Sequence, residues 1–235
     1  MDGGVQVKIS VLIPAYNEAR TIARCLEAVY GRNAGRDLEV IIVDDGSSDG
    51  TYEAAVAAAK PGTKVLKHAK NSGKGTAIRT ALAQATGDVV LIQDADLEYD
   101  PADYGALIQP IEEGRAEVVY GSRHLSAGNE RSYARYYWGG RLVSVWTNLL
   151  YGSSLTDEPT CYKLFKIGLI RSFDLKCTGF EFCPEVTAKT LLRGIPILEV
   201  PISYHPRRIE EGKKIRWHDG IEALWTLLKL RCSRA

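Results

Sequence analysis

The sequence predicts an α/β fold with a mostly parallel central sheet and helices on both faces. Two observations carry that expectation. In the first half of the chain, short apolar strands alternate with stretches whose apolar residues recur at helical spacing. Each of those strands also ends in an acidic or glycine-rich turn. In a parallel sheet with right-handed crossovers such turns gather at the carboxyl edge, where ligands bind.

The first strand, Val7 to Pro14, is stopped by proline and followed by a helix with Ile22, Leu26 and Val29 on one face. Leu38 to Val43 is the second, followed by an acidic, small-residue turn and a helix capped by serine or aspartate. Lys64 to His68, the turn AKNSGKG and a helix from Thr76 to Ala85 form the third round. A fourth strand starts at Val89 after Gly87-Asp88; its unbroken apolar run predicts burial on both faces, and a helix follows Pro101. After Glu117 to Gly121 the regularity fails. Arg123 to Arg135 reads as a mobile polar loop. Tyr136 to Tyr151 reads as a helix with Trp138, Leu142, Val145, Trp146 and Leu149 on one face, for which core packing is the simpler account. CYKLFK predicts a short strand, Cys183 to Arg193 a helix and Pro196 to Tyr204 a last strand. The segment from Trp217 carries Ile221, Leu224, Trp225 and Leu228 on one stripe.

At 235 residues and 45% hydrophobic composition the chain can bury the core of one domain. Its formal net charge is +1, but Arg123 to Arg141 holds four arginines against one acid, and His205 to Ala235 eight basic residues against four acids. An anionic partner therefore meets the second half. The five cysteines are odd in number and lack paired zinc spacing, and read as reduced cytosolic thiols. The amino terminus lacks the basic-then-apolar pattern of a signal peptide, and no run approaches the length of a membrane span. The two tryptophan-bearing amphipathic stretches have the composition of helices that lie on a bilayer.

Asp94 and Asp96 sit two apart where the fourth strand runs out. In an extended chain both carboxylates project to one side, with Glu98 next in register. Two like charges held close favour a divalent ion between them, and oxygen ligation suits Mg²⁺ or Mn²⁺. The plainer alternative is an acidic loop before a helix, with Asp100-Pro101 as its cap and first-turn proline. NSGKG before a helix resembles a phosphate-binding turn, but it matches neither a Walker loop nor a dinucleotide fingerprint, and a simple turn accounts for it as well. One of Asp44 and Asp45 can accept from a base N–H or ribose hydroxyl while the other caps the next helix. His68, His124, His205 and His218 have no partners at ligand spacing.

PAYNE, VDDGSSDGT, NSGKG and DADLEY follow successive strands in that order, and together they resemble the family 2 glycosyltransferases of the GT-A fold. GSRH from Gly121, TDEPTCYKLFK from Thr156 and the basic segment EEGKKIRWHDG look like the branch that makes polyprenyl- or dolichyl-phosphate hexoses. The resemblance implies a nucleotide-sugar-binding half (1–121), an acceptor-side half (122–204) and a basic amphipathic tail (205–235). It implies that Pro14, Ala15, Tyr16, Glu18, Asp44 and Asp45 hold the nucleoside, with Lys74, Asp94 and Ala95 at the sugar diphosphate. It places a Mg²⁺ or Mn²⁺ cofactor on Asp94, Asp96 and Glu98, and a catalytic role on Asp96 and Arg123. Arg131, Lys213 and Lys214 join Arg123 as the cations for an acceptor phosphate. A phosphate acceptor needs no base. With a sugar or protein hydroxyl as acceptor, Asp157 would be the base, and its plainer reading is a cap. The partners implied are a UDP-glucose or GDP-mannose type donor, a lipid-linked phosphate and a membrane surface touched peripherally at its cytoplasmic face, with no nucleic acid. A non-catalytic nucleotide-sugar-binding module is the alternative from another class. Mannose-transferring members usually show serine-glycine where this chain has Thr160-Cys161.

Overall fold

A computed structural model describes residues 7–32, 36–130, 133–207, 214 and 217–233. In chain order the elements are β1 (Ile9–Ala15), α1 (Ile22–Gly31), β2 (Leu38–Asp44), α2 (Thr51–Ala58), β3 (Lys64–Lys67), α3 (Lys74–Gln84) and β4 (Val89–Ile92). A 3-10 turn (Pro101–Asp103) leads into α4 (Tyr104–Glu112). β5 (Val118–Ser122), α5 (Ala134–Tyr151), β6 (Lys163–Lys166), α6 (Ile167–Arg171), α7 (Phe182–Leu192), β7 (Leu198–Pro201) and α8 (Trp217–Cys232) complete the chain.

The described strands form one seven-stranded sheet in the order β3-β2-β1-β4-β6-β5-β7. β1, β2, β3 and β4 run parallel to one another, and β6 runs antiparallel to both its neighbours, β4 and β5. β5 and β7 are again parallel. The sheet is therefore mostly parallel, as the sequence predicts. All four residues of β4 are buried, together with Ile9, Val11, Leu12 and Ile13 of β1 and Val40 to Val43 of β2. A strand covered by helices on both faces has no polar side to show, and that is why these runs are continuous rather than alternating.

At the amino ends of the strands, the buried carboxylate of Glu39 ties four segments together. It accepts from Ser10 Oγ at 2.6 Å, Lys64 Nζ at 2.8 Å, and the amide and hydroxyl of Thr86 at 2.6 and 3.0 Å. Burial pushes this carboxyl up, but the donors from Lys64, Ser10 and Thr86 outweigh it and hold the group at about 2.

The helix predicted over Tyr136 to Tyr151 forms as α5, but its wide apolar face is not core. Trp138, Leu142, Val145 and Leu149 are 67%, 56%, 56% and 74% exposed, while Val143, Ser144 and Thr147 face inward. The cause is that α8 packs against the Val143 side of α5, so of the predicted face only Trp146 is drawn into the contact. Leu227 of α8 is buried against Val143 and Ala188. Trp146 Nε1 donates to the Leu224 carbonyl at 3.3 Å, and Tyr151 Oη donates to the Leu227 carbonyl at 2.7 Å. Trp217, Ile221 and Trp225 of α8 stay exposed as well. Among the described residues no helix is long and apolar enough to cross a membrane.

Glu39 gives the fold a testable acid response. Its folded pKa lies below its unfolded value, so its stabilisation is complete above about pH 4.5 and is lost as the pH falls towards about 2. Urea midpoints measured from pH 7 to pH 2 should show Glu39→Gln clearly below wild type at neutral pH, with the gap closing as the acid limb is crossed.

Candidate active site

A cavity of about 1480 Å³ opens at the carboxyl edge of the sheet, where Pro14, Ala15 and Tyr16 leave β1 and Asp94, Ala95 and Asp96 leave β4. The parallel pairing of these strands, Ile9 beside Val89 through Leu12 beside Ile92, brings the two exits side by side. β4 stops at Ile92, so the two aspartates stand in a turn rather than on an extended strand, and Leu97 adopts the left-handed conformation with φ 65°. Both carboxylates nonetheless face the same cavity.

Each member of the acidic cluster has a definite set of partners. Lys74 Nζ lies 2.6 Å from Asp94 Oδ1. Asp96 Oδ1 accepts the Glu98 amide at 3.1 Å, and Arg207 Nε lies 3.9 Å from Asp96 Oδ2. Glu98 is drawn off in another direction. Its carboxylate accepts from Tyr204 Oη at 2.8 Å and the Arg207 amide at 2.9 Å, so it does not converge with the other two. Glu18, buried at the β1 exit, accepts from Arg207 Nη2 at 2.5 Å and Lys214 Nζ at 2.6 Å. Burial pushes the Asp96 carboxyl well above its ordinary range, with Asp94 and Glu98 acting in the same sense and Arg207 against.

Among the described residues no three His, Cys, Asp or Glu side chains already form a metal cage. The Asp94 and Asp96 pair still fits a hard divalent ion. It offers oxygen donors only, and its like charges crowd one another in a buried setting that a cation would relieve.

The glycine-rich turn before α3 is not a phosphate cradle. The amides of Gly75 and Thr76 donate to the carbonyls of Gly179 and Thr178, both at 3.1 Å. Gly73 has φ 93°, and a Cβ there would stand 2.2 Å from the Thr178 carbonyl oxygen. Close approach of this segment, rather than an anion, therefore requires the glycine. Asp45 lines the cavity but spends its carboxylate on the same turn, accepting from the amides of Ser72 and Gly73 at 3.0 and 2.7 Å and facing His68 Nδ1 at 2.6 Å. Asp44 is fully buried, with Oδ1 accepting the Ser47 amide at 3.4 Å. Lys214 reaches the β1 edge of the cavity, where it meets Glu18 and the Tyr16 carbonyl. Arg131 and Lys213 lie outside the described residues.

Beyond the end of β5, Asp157 is fully buried and binds Arg123 through both oxygens. Arg123 Nε donates to Oδ2 and Nη2 to Oδ1, each at 2.7 Å, and the Arg123 amide adds a bond to Oδ2 at 2.9 Å. Burial alone would raise this carboxyl; the guanidinium beside it holds it below the usual range. Asp157 is thus neither a cap nor a poised base: it fixes Arg123 at the cavity wall, where the guanidinium also sits 5.0 Å from the Tyr204 ring centroid. Arg207 escaped the sequence reading altogether. It stands in a basic stretch among several similar residues, and only the return of the chain after β7 selects it.

Breaking one side of a buried pair leaves an uncompensated charge, so Asp157→Asn should cost about 3–5 kcal/mol in urea denaturation. The double change Asp157→Asn with Arg123→Met should recover much of that loss, and a purely additive double mutant would show that the two side chains are not coupled.

The glycosyl transferase family 2 profile matches residues 10–174. The chain is 29% identical over 215 residues to the low-salt glycan biosynthesis hexosyltransferase Agl6 of Haloferax volcanii, covering 89% of this chain and 50% of that protein. It is 26% identical over 211 residues to the dolichol-phosphate mannosyltransferase of Pyrococcus furiosus, covering 88% and 59%. These two relatives are therefore much longer than the chain. The undecaprenyl-phosphate mannosyltransferase of Micrococcus luteus is 29% identical, with 96% of this chain and 99% of that protein covered. In three dimensions, glucosyl-3-phosphoglycerate synthase from Mycobacterium tuberculosis, solved with Mn²⁺, UDP-glucose and phosphoglyceric acid, superposes with a TM-score of 0.73 at 22% identity. That match covers 96% of this chain and 80% of that one, and it establishes the GT-A fold. With the profile running from β1 to beyond β6, the chain belongs to glycosyl transferase family 2.

Proposed function

We propose that the chain moves a hexose, with inversion, from a UDP-glucose or GDP-mannose type donor to a lipid-linked phosphate. The observation behind this reading is the commitment of Asp157 to Arg123. A hydroxyl acceptor needs a carboxylate free to take its proton, and the residue suspected of that role is occupied. A phosphate monoester has its second pKa near ~6, so at pH 7 it is mostly the dianion and attacks without surrendering a proton. Its requirement is positive charge, which the fixed Arg123 guanidinium offers at the cavity wall. Relatives named for dolichol phosphate and undecaprenyl phosphate support the same acceptor class.

On the donor side, Pro14, Ala15, Tyr16, Glu18 and Asp45 line the cavity and would hold the nucleoside, and Lys74, in the same lining, would meet the diphosphate. Asp94 and Asp96 would hold Mg²⁺ or Mn²⁺, and such an ion, when bound, neutralises the charge that develops on the departing diphosphate. Neighbouring structures that contain Mn²⁺ or Mg²⁺ with UDP support a nucleotide donor and a divalent ion. Lys74 adds positive charge at the same place.

The exposed faces of α5 and α8 continue the cavity rim: Leu142, Trp217 and Ile221 line the cavity and are also open to solvent. Tryptophans beside Arg135, Lys229 and Arg231 have the composition of interfacial helices, which supports peripheral docking on the cytoplasmic face of the membrane that holds the acceptor.

Asp96→Asn is near-isosteric and should keep the wild-type circular dichroism spectrum while abolishing transfer of label from donor to lipid phosphate. Unimpaired transfer, or full wild-type activity in excess chelator, would remove the metal from the reading. In flotation with anionic liposomes at low salt the protein should rise with the lipid. Trp138→Ser combined with Trp225→Ser should leave it at the bottom of the gradient with its melting temperature unchanged, and a wild-type protein that stays with the soluble fraction would contradict the docking.

A further inference from the structure

Both oxygens of one buried carboxyl group, that of Glu158, have no hydrogen-bond partner among the described residues. Glu158 is fully buried and belongs to the cavity lining. A carboxyl shielded from water and left without partners is costly to the fold. The neighbours that could relieve it are engaged elsewhere. Lys163, buried on β6, turns its ammonium to the Glu158 backbone carbonyl at 2.6 Å and stands 3.6 Å from the Tyr120 ring centroid. Thr187 Oγ1 donates to the Cys183 carbonyl at 2.8 Å, so the bond it shares with Tyr120 Oη at 2.9 Å takes the tyrosine proton. Only the main chain of Glu158 is tied, its amide donating to Ser144 Oγ at 2.9 Å, and the side chain can turn towards the cavity without breaking a bond.

The position of Glu158 indicates what it meets. It follows Asp157, which fixes Arg123, and precedes Cys161, whose Sγ takes Lys74 Nζ at 3.2 Å. Cys183, in the same lining, lies within electrostatic reach of Glu158 and Lys163 and also of Lys74 and Asp94. With the donor diphosphate at Lys74 and the acceptor phosphate at Arg123, the hexose has to lie between them. Glu158 borders that interval, where a pyranose presents hydroxyls that each donate and accept.

We infer that Glu158 is a specificity-determining residue that reads a ring hydroxyl of the transferred hexose, donating to it and accepting from it. This rests on the donor reading above and deepens it by naming a residue that selects the sugar. Burial pushes the carboxyl up, against the pull of Lys163, towards the neutral form that can both donate and accept and that repels neither anionic substrate. No bulk water competes at these oxygens. A sugar lacking the hydroxyl leaves the carboxyl unpaired and is rejected for that reason.

Donor binding without turnover tests this. Wild type, Glu158→Gln and Glu158→Met are titrated by calorimetry, with Mn²⁺ present, against UDP, GDP, UDP-glucose, GDP-mannose and the single-deoxy analogues of whichever nucleotide sugar binds, and each protein is melted alone. Glu158→Met should bind the bare nucleotide as wild type does and melt no lower, because it removes an unpartnered polar group from the interior. It should bind the nucleotide sugar about 10- to 100-fold more weakly, and the deoxy analogue that wild type rejects should bind it no worse than the parent sugar. Glu158→Gln keeps a donor and an acceptor, and should retain both the affinity and the discrimination. A structural role would lower the melting temperature of Glu158→Met and weaken bare nucleotide and nucleotide sugar alike. That outcome, or a folded Glu158→Met with wild-type affinity and discrimination, overturns the inference and leaves the donor site standing. If wild type binds neither nucleotides nor nucleotide sugars, the donor reading falls and this inference with it.

Discussion

Like charges meeting at one edge of a sheet are the constraint on which the rest of this molecule depends. Parallel pairing of β1 with β4 sets Glu18 beside Asp94 and Asp96, and the turn that follows adds Glu98. Carboxylates this close and this shielded from water need counter-charge to stay ionised. The chain supplies it from far away in sequence. Lys74 arrives at the start of α3, and the segment after β7 returns to lay Tyr204, Arg207 and Lys214 across the cluster. Tyr204, Arg207 and Lys214 are thus held to this edge by polar bonds, and all three line the cavity.

A second, separate set of charges organises the wall formed by β5, β7 and the loop ahead of β6. Glu199 on β7 accepts from the amides of Thr156 and Asp157 at 2.7 and 2.9 Å, which orients the loop ahead of β6. That loop presents Asp157 to Arg123 at the end of β5, and Asn129 bridges the carbonyls of Arg123 and Ile202. A guanidinium seated on a buried carboxylate loses little further entropy when it meets a phosphate, because its fork is already fixed. The antiparallel β6 belongs to this half. By reversing direction between β4 and β5 it brings the 156–162 segment up to the same edge where the parallel strands release their turns.

Much of this was legible in the sequence because it is local. Apolar runs with turns at their ends gave four successive strand-helix rounds, and the acids at those ends marked the ligand edge. Asp94 and Asp96 were found on that basis, although the extended geometry invoked for them gave way to a turn once β4 stopped at Ile92. What escaped is non-local. Arg123 and Asp157 are 34 residues apart, and Arg207 lies 189 residues from Glu18; nothing in either neighbourhood announces the other. The glycines of NSGKG dock this turn against Thr178 and Gly179, and Asp45, which lines the cavity, also holds the same turn through Ser72 and Gly73. The face of α5 misled for a related reason: periodicity shows that a helix has an apolar side, but not whether a neighbour such as α8 takes that side or another one.

The proposed nucleophile is an already ionised phosphate, not a hydroxyl. The most direct measurement offers the enzyme a short polyprenyl phosphate and the matching polyprenol in parallel, each with labelled UDP-glucose and GDP-mannose, and resolves the products by phosphorus NMR and mass spectrometry. A hexosyl phosphodiester of inverted anomeric configuration is expected from the phosphate with one of the donors, and no glycoside from the alcohol. A glycoside formed on the alcohol, with the phosphate left untouched, would contradict it.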